Sequence, residues 1–360
     1  MTKINTKEFT EKAVNLMKFN DGDTDYLIWQ GSRLMMQNRS GISAYTTVTD
    51  IGEHTILLPI KAVELIKKVK AETCDIEHEG GIITVKYNRS KAKFNMAERT
   101  IDITLPNESD FPKLNVIPCS LIDDIKKVSR ICALKDARGH SSEGLYFNGN
   151  GKQLEIVATD GSRIAVLTTD KCKAKMQLIV HKTIIEKVIG IAASNDADIN
   201  LAELDKKKVL FKIADYTIIT PTLAVEKFID YKYALKQFRF SITVTANPYE
   251  LRAALERVAL CREKNTDPII FTAESNAIYI SAYSSINEIK EEVHSNHIDK
   301  AVERGFNPIW LQELISFFNS DIELKFCDGA NTTPLSITKE ENGQKFFVLM
   351  LPMRYKNKEA

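Results

Sequence analysis

The sequence has no run of apolar residues long enough to cross a bilayer, so no membrane-spanning helix is expected. Its opening, "MTKINTKEFTEKAV", lacks the apolar core of a secretory signal, and a cytoplasmic protein is expected. None of the six cysteines forms a CxxC pair; Cys74, Cys119, Cys132, Cys172, Cys261 and Cys327 read as free thiols, mostly small core fillers. The six histidines are scattered too. His294 and His297 stand near Asp299 in "EEVHSNHID", where a solvated segment is expected rather than a metal site. No glycine-rich loop carries a lysine, which argues against nucleotide use, and no cofactor is expected. An excess of one charge is missing as well. With 49 basic and 48 acidic side chains the net charge is +1, so any attraction to nucleic acid requires charge segregated by face.

What is present is ordinary globular material. The 360 residues are 44% hydrophobic and 27% charged, enough chain for two or three domains with buried cores. The informative feature is a coarse repeat. "LPIKAVELIKKV" from Leu58, "VHKTIIEKVIGI" from Val180 and "FNPIWLQELISFF" from Phe306 each open on an apolar, strand-like end. Each continues with apolar residues at helical spacing: Val63, Ile66 and Val69; Ile184, Val188 and Ile191; Leu311, Leu314 and Phe318. An offset set repeats the pattern, with Phe9, Ala13 and Leu16, then Leu121, Ile125, Val128 and Ile131, then Leu251, Leu255 and Val258. Two amphipathic helices among short strands in each third predict an α+β fold of three similar domains.

Turn signals predict the hairpins between these helices. Strands are expected to pair across Asp160-Gly161, across Asn88-Arg89 and across Glu274-Ser275-Asn276, with further Asn-Gly turn signals at Asn148-Gly149 and Asn150-Gly151. Boundaries are placed near Asp110-Phe111-Pro112 and near Tyr231 to Phe238, giving domains 1–110, 111–236 and 237–360. Hairpin-rich domains leave strand edges open, and adjacent domains that join those edges would form continuous sheets. Three in a row leave two ends for a head-to-tail copy to close.

Short tags then make the reading specific. "VATDGSRIAV" resembles the central-domain hallmark of bacterial DNA polymerase III beta subunits, the sliding clamps, which usually reads Ala-Thr-Asp-Gly-His-Arg-Leu-Ala. "LPMRY" from Leu351 resembles the family's C-terminal Met-Pro-Met-Arg-Leu. "DFP" at Asp110 to Pro112 and "KFIDY" ending at Tyr231 resemble its two inter-domain links. The likeness is continuous from Val116 to Tyr355 and thin over the first hundred residues, where a shortened, divergent first domain is expected.

The resemblance implies three clamp domains, with two helices on antiparallel sheet in each. A second copy would close the ring head to tail as a homodimer around double-stranded DNA. It implies no catalysis. The implied role is processivity: tethering the replicative DNA polymerase once a clamp loader has placed the ring. It also implies a pocket for short peptides. By position, Thr159, Gly161, Ser162, Arg163 and Ile164 match its hallmark side, and Ile229 and Ala234 its linker side. Leu349, Leu351, Pro352, Met353, Arg354 and Tyr355 match its C-terminal side, and Ala330 and Thr332 its remaining wall. Leu351, Met353 and Ile164 would form an adaptable apolar floor. Arg163 and Arg354 would hold carbonyls or a carboxylate. Asp160 is expected to fix the turn or pair with an arginine, and Gly161 to serve as the turn glycine. Ser162, Ile229 and Tyr355 depart from the usual histidine, proline and leucine, so peptide specificity is expected to differ.

The helix stripes leave basic residues off the core face. These are Lys67, Lys68 and Lys70; Lys126, Lys127 and Arg130; Arg252, Arg257 and Arg262; and Lys12 and Lys18. With the resemblance, they become the expected DNA-lining set, giving salt-sensitive phosphate attraction without sequence readout. Two other readings compete. One is a monomeric clamp-like peptide-binding scaffold. The other is an aspartate-dependent hydrolase built on Asp160, which lacks the second aspartate that Thr159 replaces.

Overall fold

The computed structural model describes every residue except 23, 97–107, 136–138, 140, 206, 265–266, 330, 342 and 356–360. Among the described residues there are seven α-helices: α1 (Thr6–Met17), α2 (Ile60–Lys68), α3 (Ile122–Ser129), α4 (Lys182–Asn195), α5 (Tyr231–Lys236), α6 (Pro248–Ala259) and α7 (Pro308–Ile315). Six of them are the expected amphipathic segments. Their stripes are buried: Phe9, Ala13 and Leu16 on α1, Ile125 and Val128 on α3, Leu251, Leu255 and Val258 on α6. Val69 is not on α2 but caps it, in extended backbone. The short α5 was not expected; at six residues it is too short to show a helical period.

Local chemistry explains where the helices start. Asn5, Asn247 and Asn307 each sit at an N-cap, where the side-chain oxygen accepts from backbone N–H groups of the first turn. Pro248 and Pro308 follow two of these caps, at positions whose missing N–H costs nothing.

The strands carry the repeat to completion. A strand, a helix and three strands form a unit: Thr2–Asn5, α1, then Tyr26–Gln30, Arg33–Gln37 and Ser43–Thr47. The unit recurs from Thr55–Pro59 through α2 to Ser90–Asn95. The central third repeats it from Asn115–Ile117 through α3 and from Lys175–His181 through α4. The last third repeats it from Phe240–Ala246 through α6 and from Val302–Phe306 through α7. The first third, expected to be shortened, holds the same series of elements as the other two. Its divergence lies in sequence, not in architecture.

By its contacts the chain divides into two compact units, Met1–Asp123 with Cys172–Ala224, and Asp124–Lys171 with Val225–Ala360. This cuts through the central third because strands join across the expected domain boundaries. In the first unit, Tyr216–Pro221 pairs antiparallel with Ser43–Thr47. In the second, Arg163–Thr169 pairs with Gln344–Met350 over its whole length. Each unit also holds a four-stranded sheet. Ser90–Asn95 is outermost in the first, and Glu288–His294 in the second.

The hairpins form at Asn88-Arg89, Asp160 to Ser162 and Ser275-Asn276, with Asn88, Gly161 and Ser275 at positive φ. Asn148-Gly149 is not a turn. It lies inside strand Gly144–Asn150, where Gly149 pairs with Leu154, and the reversal falls one step later at Gly151, with φ +85°.

Candidate peptide site and basic helix faces

The hallmark loop is held by its own side chains. Thr159, buried, donates from its hydroxyl to the Arg163 carbonyl at 2.7 Å and accepts from the Gly161 N–H at 3.1 Å. Asp160 Oδ1 accepts from the Ser162 and Arg163 N–H groups at 2.9 and 2.8 Å. Asp160 Oδ2 takes Arg163 Nε at 2.9 Å and Nη2 at 2.8 Å. Gly161 sits at φ +86° in open space, so backbone conformation rather than crowding requires the glycine.

Arg163, which by position matches the pocket's hallmark side, is buried. It is 6% exposed. Its Nη1 donates to Glu313 Oε2 at 2.6 Å, and its guanidinium lies 4.9 Å from the centre of the Trp310 ring. A buried cation demands such partners, since an unpaired one is costly. Glu313 and Trp310 were missed in the sequence. They lie on α7 far along the chain, and no local pattern marks them as partners of Arg163.

The C-terminal side assembles beside this loop. Ile164 stands opposite Leu349 and Arg163 opposite Met350 in the strand register. The Leu351 N–H donates to the Ser162 carbonyl at 2.9 Å, and the Met353 N–H to the Gly305 carbonyl at 2.8 Å. Gly305 is required by close approach: a Cβ there would stand 2.6 Å from the Met353 carbonyl oxygen and 2.6 Å from the Tyr355 ring. The Tyr355 hydroxyl donates to Glu303 Oε1 at 2.6 Å. Burial, followed by this carboxylate, pushes its pKa upward. The side chain at the usual leucine position is therefore fixed by a hydrogen bond. Ile164 and Leu349 are buried, Pro352 and Met353 half-buried, and Leu351 and Arg354 exposed.

On the linker side, Tyr231 and Lys232 anchor α5 to strand Leu154–Thr159. Glu155 accepts from the Tyr231 hydroxyl at 2.8 Å and pairs with Lys232 at 2.6 Å. Burial and this carboxylate push the Tyr231 phenol well above its ordinary range. Ile229 remains 41% exposed and Ala234 half-buried. Thr332 is exposed, and Ala330 lies outside the described residues.

The basic set divides by environment. Lys18, Lys67, Lys68, Lys70, Lys126 and Arg130 are exposed. Lys12 is held by Asp215 at 2.7 Å, Glu8 at 2.9 Å and the Thr47 carbonyl at 2.9 Å. Burial alone would lower the Lys12 pKa, but the two carboxylates outweigh it and the net direction is up. Lys127 pairs with Asp124 at 3.2 Å, and Arg257 makes two hydrogen bonds to Glu291 at 2.9 and 2.6 Å. Arg262 donates to the Asp267 carbonyl at 3.2 Å. Arg252 lies 5.0 Å from the centre of the Tyr249 ring. Lys12, Lys127 and Arg257 are thus already neutralised by neighbours and Arg252 and Arg262 are half-buried, while the six exposed members present more open charge.

Among the described residues there is no group of three or more potential metal ligands, and His297 pairs with Asp299 at 2.6 Å. None of the described helices is long and apolar enough to cross a membrane.

Comparison with known proteins agrees with this architecture. A crystal structure of the DNA polymerase sliding clamp from Bacillus subtilis superposes with a TM-score of 0.87 at 18% identity, covering 98% of this chain and 99% of that one. The DNA polymerase III subunit beta from Pseudomonas aeruginosa gives 0.86 at 19% identity, with the same coverage. The fold is that of a multi-domain clamp protein. In sequence, the beta sliding clamp of Pseudomonas aeruginosa is 26% identical over 293 residues, 78% of this chain and 76% of that protein. Residues 239–354 match the profile of the DNA polymerase III beta subunit, C-terminal domain. Over most of its length the chain is similar, at low identity, to bacterial DNA polymerase III beta sliding clamps.

Proposed function

We propose that the protein is a processivity factor: a ring of two copies that encircles duplex DNA and tethers the replicative polymerase through a peptide pocket. The observation that carries this reading is the edge-to-edge joining of successive repeats, Ser43–Thr47 to Tyr216–Pro221 and Arg163–Thr169 to Gln344–Met350. The three clamp domains, 1–110, 111–236 and 237–360, are the units so joined.

The same logic supplies the closure. Ser90–Asn95 and Glu288–His294 are outermost strands without a further neighbour among the described residues. The first carries Lys91 and Lys93; the second carries Glu288 and Glu292, with Lys290 between them and Glu291 already paired to Arg257, and keeps an acidic excess. Opposite charge on two open edges favours their pairing between copies, and like edges would repel. Exposed Leu260 and Ile286, at 80% and 87%, lie on the same unit as the acidic edge and add apolar surface to bury.

The pocket is the surface formed by Leu351, Pro352, Met353 and Arg354 beside the loop Thr159–Ser162, with Ile229 and Ala234 on its linker side. Lys67, Lys68, Lys70, Lys126, Arg130 and Arg252 are the principal DNA-facing charges. Peptides of the polymerase and of the loader are the expected pocket ligands, and the cytoplasm the expected location. No reaction is assigned, because Asp160 has both oxygens engaged by Ser162 and Arg163.

Light scattering over a concentration series tests the ring. A stable species at twice the 40.7 kDa chain mass is expected. A persistent monomer would replace the ring with the peptide-binding scaffold. Retention on closed circular DNA, with release after linearisation, tests encirclement.

A further inference from the structure

We infer that Glu155 is a positioning residue for the peptide pocket. It sets affinity without touching the peptide, by holding α5, which carries the pocket's linker side, against the sheet. The inference rests on the peptide-pocket reading and names a residue outside the positions matched to that pocket.

Three donors converge on Glu155 Oε2: the Tyr231 hydroxyl at 2.8 Å, Asn148 Nδ2 at 2.9 Å and Lys232 Nζ at 2.6 Å. Tyr231 and Lys232 belong to α5, and Asn148 to the neighbouring strand Gly144–Asn150. The Glu155 side chain is 15% exposed and Tyr231 is 5% exposed, so water competes poorly for these bonds. A buried phenol hydroxyl needs an acceptor, and Glu155 supplies it. The helix has little of its own to keep it in place. Six residues are too few for a helix that is stable alone. Its cap, Asp230 accepting from the Tyr233 N–H at 3.0 Å, is internal to the segment.

Both linker-side positions follow this anchor. Ile229 precedes Tyr231, and its carbonyl accepts from the Tyr231 N–H at 2.8 Å. Ala234 lies on α5 itself, one turn beyond Tyr231. Glu155 also belongs to the strand Leu154–Thr159, whose last residue opens the hallmark loop. Four strand residues separate Glu155 from Thr159, about 13 Å, beyond the reach of a glutamate side chain. One strand therefore fixes the hallmark side through its end and the linker side through Glu155. With the anchor intact, a peptide meets a formed surface. Without it, the peptide binds only those molecules in which α5 is docked, and apparent affinity falls by that fraction.

Fluorescence anisotropy on the full-length protein reads the effect, with labelled peptides from the polymerase of the same organism as the probe. Glu155→Ala removes the acceptor and should weaken binding about tenfold, the loss expected if α5 is docked roughly one time in ten. Glu155→Gln keeps an acceptor oxygen for Tyr231 and Asn148, and should bind within about twofold of the wild type. Tyr231→Phe should weaken binding too. Adding it to Glu155→Ala should cost little more, because both changes cut the same tie. Hydrogen–deuterium exchange in Glu155→Ala should quicken over residues 229–236 and stay unchanged over 159–164. Wild-type affinity in Glu155→Ala overturns the proposal. So does an equal loss in Glu155→Gln, since the carboxylate would then act through its charge rather than as an anchor. Exchange that quickens over 159–164 and 344–350 as well makes Glu155 a general support of the fold, and overturns it too. Each of these leaves the pocket in place. A wild type that binds none of the peptides overturns the pocket reading, and the proposal with it.

Discussion

Arg163 shows how far one residue's chemistry depends on its surroundings. By position it matches a pocket arginine that would hold peptide carbonyls or a carboxylate; in the fold it is buried between Asp160, Glu313 and the Trp310 ring. Arg163→Ala leaves two carboxylates without their cation, and breaking a buried pair costs about 3–5 kcal/mol. Urea denaturation should show that loss, and Arg163→Lys should recover only part of it, since lysine lacks the planar fork that meets both partners. Gly305 makes a second residue-scale case. Gly305→Ala forces its Cβ against backbone at Met353, a contact that cannot rotate away. A destabilisation of about 1–3 kcal/mol is expected, as for other overpacked sites, and thermal unfolding checks it. Asp160, by contrast, was legible: an aspartate before a turn glycine commonly caps its own loop, and here it does.

At the scale of elements, helices were the most readable feature because their signal is local. Apolar residues at i, i+3, i+4 and i+7 define a face without reference to anything distant. Helix starts were equally local in their chemistry, in the Asn-Pro pairs at Asn247-Pro248 and Asn307-Pro308. Asn247→Ala should lower stability by about 1 kcal/mol, visible in chemical denaturation of the full chain. Competing turn signals were less readable. Asn148-Gly149 and Asn150-Gly151 stand two residues apart, and only strand register decides which one reverses the chain. The C-terminal segment is an element held by other elements, through Leu351 to Ser162 and Met353 to Gly305. Deleting residues 351–360 should weaken binding of polymerase or loader peptides, measured by anisotropy, while leaving the mass in solution unchanged. Unchanged affinity would remove the pocket from this face.

At the scale of the whole molecule, the near-balanced charge matters through its distribution. α3 carries Lys126 and Lys127 beside Asp123 and Asp124, and the strand Glu288–His294 carries three glutamates and Lys290, so local arrangement decides more than the net charge. Replacing Lys126, Lys127 and Arg130 with alanine should shorten retention on DNA and flatten its dependence on salt, because fewer counterions are released. Lys127 should contribute least of the three, being already paired with Asp124. Single substitutions measured across a salt series would show that order; an unchanged slope for the triple variant would place these side chains away from DNA.

The sequence by itself determined six of the seven described helices, four of the hairpins, the repeat and the residues of the hallmark loop. Each of these is written in spacings of a few residues, where backbone geometry and side-chain burial act directly. Tertiary structure alone decided which strand edges meet, Ser43–Thr47 with Tyr216–Pro221 and Arg163–Thr169 with Gln344–Met350. It alone decided that Arg163 answers to Glu313. Strand pairing and ion pairing depend on distance in space, and a period-two strand or a lone glutamate carries no label for its distant partner.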